Sequence, residues 1–120
     1  MINVVQITSD TKVLIAAPAK PMSREISDSI GNMVANFPAV LEAHLPYCHI
    51  LNVMKEPAQV LVLILEELTD FETIAPAVCG RLPDILPTEM SLMILPISKE
   101  SSVAEKIRAT QCQVFERLYN

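Results

Sequence analysis

The sequence predicts an α+β fold: a mixed, mainly antiparallel sheet of about five strands with three helices, in the order β-β-α-β-β-α-β-α. Three observations carry this reading. Gln59–Glu66 (QVLVLILE) places six apolar residues, Val60 to Leu65, between polar ends. Strand side chains alternate between the two faces of a sheet, so an unbroken apolar run belongs to a strand covered on both sides. Two longer stretches, after Ser23 and after Thr69, repeat apolar residues at helical spacing. Short apolar runs bounded by proline flank them on either side.

The 120 residues form one domain by length. The composition is 51% hydrophobic but only 4% aromatic, without tryptophan, so the core is aliphatic and six methionines act as soft filler. Nine basic residues stand against fourteen acidic ones, a net charge of −5. That balance argues against nucleic acid or an anionic membrane surface as partner, since both need a basic face. Three cysteines, Cys48, Cys79 and Cys112, are odd in number and lack paired spacing, which points to free thiols in a reducing compartment. The N-terminus has no basic stretch leading into an apolar core, and no apolar run approaches the roughly 18 residues of a membrane span. The expected localisation is the cytoplasm.

Taken in order, Asn3–Ile7 and Lys12–Ala17 read as two strands joined by the polar Thr8–Thr11, a candidate hairpin. Ser23 is placed to cap a helix in which Ile26, Ile30, Met33, Val34 and Phe37 share one face. Gly31 lies inside it at a cost of up to about 1 kcal/mol relative to alanine, which close packing would explain. Val40–Val53 is a long strand broken near Pro46, because proline cannot donate to a ladder. Its face bearing Leu41, Ala43, Leu45, Tyr47, His49 and Leu51 is the better core candidate. Lys55-Glu56-Pro57 turns it into the central strand as an antiparallel hairpin. Thr69–Glu72 fits a capping box, followed by Phe71, Ile74, Ala75, Val78, Cys79 and Leu82 at helical spacing. Pro76 predicts a kink or a delayed start, and Gly80 with Pro83 predicts an end near Arg81. Met90–Ile97 is the last strand. Ser102–Glu105 is a second capping box, opening a final helix lined by Val103, Ile107, Val114, Phe115 and Leu118.

The middle of this order, βαββαβ, is the ferredoxin-like arrangement. That arrangement leaves one sheet face bare, whereas the central run wants both covered. The C-terminal helix or a second copy of the chain would supply the cover.

Several of these segments have a counterpart in a known family. Val13-Leu14-Ile15-Ala16-Ala17-Pro18 is followed by Pro21 and an amphipathic helix. Phe37-Pro38-Ala39-Val40 leads into Ala43-His44-Leu45, and the tail runs from Ile107-Arg108 to Gln113-Val114-Phe115-Glu116-Arg117. In these features, over nearly its whole length, the chain resembles the C-terminal domain of the bacterial enhanced-serine-sensitivity (SseB) family. The resemblance implies no established reaction and transfers no catalytic residues.

The one cluster with metal or nucleophile chemistry is His44-x-x-x-Cys48-His49. It offers at most three of the four ligands that zinc takes, so no metal is expected. Neighbouring strand side chains diverge, so Cys48 and His49 would not meet as a thiolate–imidazole pair. With two isolated glycines, Gly31 and Gly80, there is no phosphate-cradling loop, and no cofactor is expected. The acidic residues Glu66, Glu67, Asp70 and Glu72 are explained by helix capping and the helix dipole. His44, Pro46, Cys48 and Ile50, on the less protected face of the broken strand, form the candidate interaction surface. The competing account is that the C-terminal helix covers them.

The sequence therefore favours a non-enzymatic protein-interaction module that pairs with itself, as a homodimer, or with another protein. The alternative is a small-molecule sensor, binding a metabolite or amino acid, with Met22, Met33, Met54, Met90 and Met93 lining its pocket.

Overall fold

The computed structural model describes residues 2–4, 12–18, 22–88, 90 and 92–117. Along the chain lie β1 (Ile2–Val4), β2 (Val13–Ala16), α1 (Arg24–Val34), β3 (Val40–His44), β4 (Tyr47–Ile50), β5 (Ala58–Leu65), α2 (Phe71–Ile85), β6 (Leu92–Ser98), α3 (Ser102–Ala109) and β7 (Gln113–Glu116). A single 3₁₀ turn, Leu68–Asp70, leads into α2.

β5 is the centre of the sheet. All six residues from Val60 to Leu65 are withdrawn from solvent. Leu61, Leu63 and Leu65 join Ile30 and Val34 of α1 and Ile74, Val78 and Leu82 of α2 in one apolar layer. Val60, Val62 and Ile64 join Leu95 and Ile97 of β6 and Ala104 and Ile107 of α3 in the other. Each buried aliphatic side chain contributes roughly 1.5–3 kcal/mol, so neither layer is dispensable. The C-terminal helix is thus the cover for the second face.

The pairing is mixed and mainly antiparallel. β6 lies parallel to β5 on one side, with β1 parallel beyond it. On its other side β5 meets two antiparallel partners in line, β3 along Val62–Leu65 and β4 at Ala58 and Gln59. The long strand expected over Val40–Val53 is therefore present, and it is broken at Leu45-Pro46. The break leaves no backbone group stranded: Val60 N–H donates to Pro46 O at 3.0 Å, and Leu45 O accepts from the Gln59 side chain at 2.8 Å.

The next row is assembled from distant parts of the chain. β7 pairs with β3 and β2 pairs with β4, both antiparallel, so β2 and β7 run end to end in one direction. Two bulges adjust this region. Val40 and Glu42 face the consecutive residues Leu65 and Ile64, leaving Leu41 extra. His44 and Ala43 face Gln113 and Phe115, leaving Val114 extra. α1 packs directly on that second bulge. A Cβ on Gly31 would lie 2.3 Å from the Val114 carbonyl oxygen, so only glycine lets the helix approach so closely. Arg117 ties the same corner, donating to Val40 O, Ala35 O and Phe37 O at 3.0–3.3 Å while stacking on Phe115.

The class and the three helices are as expected, and several details differ. Seven strands are present among the described residues, rather than about five. β1 and β2 do not form a hairpin: each pairs elsewhere, and the intervening Thr8–Thr11 lies outside the described residues. β5 and β6 are direct neighbours, so the second βαβ unit is not split as a ferredoxin-like core requires. α2 continues past Gly80 to Ile85, with Pro76 and Pro83 both on its exposed side. Its N-cap is Asp70, and Thr69 is drawn into the 3₁₀ turn, so that capping box does not form. The cap of α3 is Ser101, one residue earlier than expected, accepting from Val103 N–H at 3.2 Å. The final helix stops at Ala109. Gln111 takes a positive φ of 57°, the chain reverses, and Val114 and Phe115 enter a strand, as suits β-branched and aromatic residues.

The two glycines give opposite expectations. Gly31→Ala should destabilise by about 1–3 kcal/mol, because its methyl meets backbone that cannot yield cheaply. Gly80→Ala, with nothing within 4 Å of its Cβ, should stabilise by about 0.5–1 kcal/mol. Urea denaturation of the two variants checks both signs.

Candidate functional site

A cleft of about 430 Å³ opens where the composite row is interrupted. Ala17 and Pro18 leave β2 on one side, and Thr110 to Val114 enter β7 on the other. Leu45, at the break of the neighbouring row, and Gln59 of β5 contribute from the sheet, and Arg24, Ser27 and Asp28 of α1 complete the lining. The register places these elements here. Ala16 faces Tyr47 and Gln113 faces His44, so neither β2 nor β7 covers the two residues of the break.

The polar groups of the lining are ordered by bonds to the protein. Gln59 Nε2 donates to Leu45 O at 2.8 Å, and Gln113 Nε2 donates to Phe115 O at 3.2 Å. Thr110 Oγ1 donates to Ile107 O at 2.6 Å, and the Cys112 thiol to Thr110 O at 3.3 Å. Arg24 and Asp28 form a long i,i+4 ion pair of 3.9 Å at the rim, with side chains 94% and 70% exposed, so water screens it heavily.

On the opposite face of β3 lies a second polar constellation. Arg108 of α3 clamps Glu42 with two nitrogens at 2.6–3.1 Å, and His44 Nε2 donates to the same carboxylate at 3.0 Å. The His44 proton therefore sits on Nε2, and Nδ1 is a buried acceptor without a protein partner. Hydrogen bonding from Arg108 holds the Glu42 carboxyl below its usual range. Burial, only partly offset by Glu42, holds His44 below the usual imidazole value. The site is tied down by a bidentate pair, an arrangement that fixes α3 onto β3.

The residues singled out from sequence are placed as follows. His44, 1% exposed, is bound to Glu42, and Pro46 is buried at the break. Cys48 and Ile50 are fully buried in the second layer, beneath α3, with Val13, Ile15 and Met54 against it. All four are interior within the chain, and Cys48 and Ile50 share their layer with Ala104 and Ile107 of α3. The face thought better protected is the open one past Pro46: Tyr47 is 40% exposed and its cross-strand neighbourhood includes Leu14 at 61%. Neither histidine bonds to Cys48, and His49 Nε2 instead bonds Met54 O at 3.1 Å. Burial pushes the Cys48 thiol up to about 12, leaving it protonated and unreactive. The five methionines do not share a pocket: Met22, Met33 and Met90 belong to the first layer, Met54 and Met93 to the second. Sequence reading missed the cleft because its lining is gathered from five segments, and only the break at Pro46 signalled the place.

Among the described residues, no three His, Cys, Asp or Glu side chains are grouped so as to hold a metal ion. No helix among them is long and apolar enough to cross a membrane.

Both His44 and Glu42 make stability depend on pH, with the same sign. The unfolded chain protonates each group before the folded one does, so stability is full above about pH 6.5 and falls as acid passes through the imidazole range. A further fall follows as pH drops through the depressed range of Glu42, with Arg108 and Glu116 facing the same site. Urea midpoints measured across this range should show the upper limb in the wild type and lose it in His44→Leu. A wild-type midpoint that ignores pH through the imidazole range would contradict this account.

Comparison with known protein families gives a match over nearly the whole chain. The family described as the SseB protein C-terminal domain matches residues 7–117. No curated protein and no solved structure matches the chain.

Proposed function

The chain belongs to the SseB C-terminal domain family, and from that premise we propose that it is a non-enzymatic, cytoplasmic bacterial interaction module that pairs with a second copy of itself. The observation that carries this reading is the open ledge on β2 and β4. Leu14 and Ala16 of β2 stand opposite His49 and Tyr47 of β4, on the side of the sheet that α1 and α2 cover elsewhere. Leu14 and Tyr47 are two of the four large hydrophobics exposed among the described residues.

β2 pairs only with β4 among the described residues, so its other edge presents unused backbone donors and acceptors. An apolar edge strand of this kind either is blunted or recruits another strand. VLIA carries no charge to blunt it. Antiparallel pairing of β2 with the same strand of a second copy closes on itself about a two-fold axis, the commonest symmetry of soluble oligomers. It would set the Leu14 side chains on one shared face and bring the exposed Lys12 towards the end of the neighbouring β2, where Asp28 lies. This surface replaces the buried His44, Pro46, Cys48 and Ile50 as the contact region.

A second reading, ligand binding, is favoured by the cleft itself. Its volume falls within the roughly 300–1,000 Å³ of small-molecule sites.

Sedimentation equilibrium tests the first reading. The wild type should form a dimer, and Leu14→Asp should weaken it by about 30-fold or more, the effect of losing roughly 2 kcal/mol at a contact hot spot. The variant's circular dichroism should stay unchanged, since Leu14 is exposed. A strictly monomeric wild type overturns the proposal.

A further inference from the structure

α3 is a short cover tied down at both ends. Lys99 N–H donates to Leu65 O at 2.9 Å where the chain leaves β6, and Leu45 N–H donates to Cys112 O at 2.9 Å where it enters β7. Between these ties the segment is held to the sheet by Val103, Ala104 and Ile107 and by the Arg108–Glu42 clamp. A helix of eight residues does not stand by its own hydrogen bonds, so its place depends on those few contacts. Its exit runs through the turn at Thr110 and Gln111, the kind of element-terminal position that absorbs hinge rotation.

The clamp is shared with a buried group that can take up a proton. His44 Nε2 donates to the Glu42 carboxylate at 3.0 Å, so the open position of the imidazole is Nδ1, buried and without a partner among the described residues. A proton there creates a buried N–H with no acceptor and sets a second cation beside the Arg108 guanidinium on one carboxylate. The charged groups facing His44 are Glu42 on its own strand, Arg108 of α3 and Glu116 of β7. Glu105 of α3 acts on Arg108, and β5 presents the apolar Val62 opposite His44.

We propose that α3 is an acid-released cover: protonation of His44 favours a conformation in which α3 swings off the sheet while β3, β5 and β7 stay paired. Lifting α3 withdraws Arg108 and admits water to Nδ1, and it leaves Glu42 and Glu116 beside the imidazolium. The lifted conformation therefore binds the proton more tightly than the closed one, and the proton draws the population towards it. Burial holds the closed-state imidazole below its ordinary value, so the cover is shut above about pH 6.5 and lifts as acid passes below that. β7 is not carried along, because Val114 is seated on Gly31 and Arg117 is bonded to Val40, Ala35 and Phe37. The motion uncovers the second apolar layer at Cys48, Ile50, Val60, Val62 and Ile64. It differs from the pH dependence of overall stability described above in that the strands remain folded while it operates.

Thiol labelling of Cys48 in the whole chain tests the cover. The probe is dithiodipyridine, which reacts in mild acid. Peptide mass spectrometry locates the modified cysteine, and each rate is divided by that of the urea-unfolded chain at the same pH. The expected result is a normalised Cys48 rate that rises as pH falls from about 6.5 to about 5, by at most about tenfold per pH unit, the limit for one proton. Its dependence on low urea should be shallow, as for an opening that exposes little surface. His44→Gln keeps a donor for Glu42 and removes the titration, so it should abolish the rise. Arg108→Gln, at a side chain 42% exposed, should speed labelling severalfold at neutral pH, and it carries the test if His44→Gln does not fold. Any of four results overturns the proposal: a Cys48 rate that ignores pH through this range, a rise retained in His44→Gln, an Arg108→Gln variant labelled as slowly as the wild type, or a urea dependence as steep as that of global unfolding.

Discussion

Everything in this molecule is arranged to keep β5 dry. Its edges are hydrogen-bonded by β6 on one side and by β3 and β4 on the other, and its faces are sealed by α1 and α2 above and α3 below. A parallel neighbour such as β6 imposes this enclosure, since the crossover through α2 puts a helix on one face and the apolar residues on the second face still need cover. α3 supplies it with two fully buried side chains, Ala104 and Ile107, and is held in place by the Arg108–Glu42 clamp. The charged pair sits at the margin of an apolar layer, where its geometry fixes the position of a short helix better than shape alone would.

The break at Leu45-Pro46 is the second organising feature. Proline removes one donor from the row beside β5, and the Gln59 side chain reaches across to satisfy the carbonyl that precedes it. Because the row is divided, its outer partner is divided too, into β2 and β7. The cleft is the gap between them. A pocket here is therefore a consequence of sheet register and not of loop length. Its floor is as well fixed as the strands that bound it.

Much of this was legible in the sequence because it depends on periodicity. The enclosed strand, the caps at Ser23, the stripe of α1 and the close packing at Gly31 follow from spacing and from the steric meaning of single residues. The rest turns on which element covers which face, and that is tertiary information. Along Val40–Val53 the side chains alternate regularly, but the buried side changes across Pro46: Ala43 and Leu45 face α1 and α2, whereas Cys48 and Ile50 face α3. A reading that assigned one core face to the whole strand placed the interaction surface on the interior residues. The tail misled for a related reason. Val114 and Phe115 continue an apolar spacing compatible with a helix, and only the left-handed Gln111 turns them into a strand. The cleft was illegible because none of its five segments is distinguished by a motif.

The composite row also has a temporal side. A ribosome releases β2, β4, β5 and β6 well before Gln113 to Arg117, so the first apolar layer can collapse around β5 while the groove beside β3 still lacks its last strand. The hollow that Gly31 leaves above the Val114 carbonyl then waits as a preformed seat, and Arg117 latches onto the carbonyls of Ala35 and Phe37 only after β7 has been made. Until that moment the flank of β3 is an open strand edge. The chain is therefore most exposed to mispairing while that edge waits for β7.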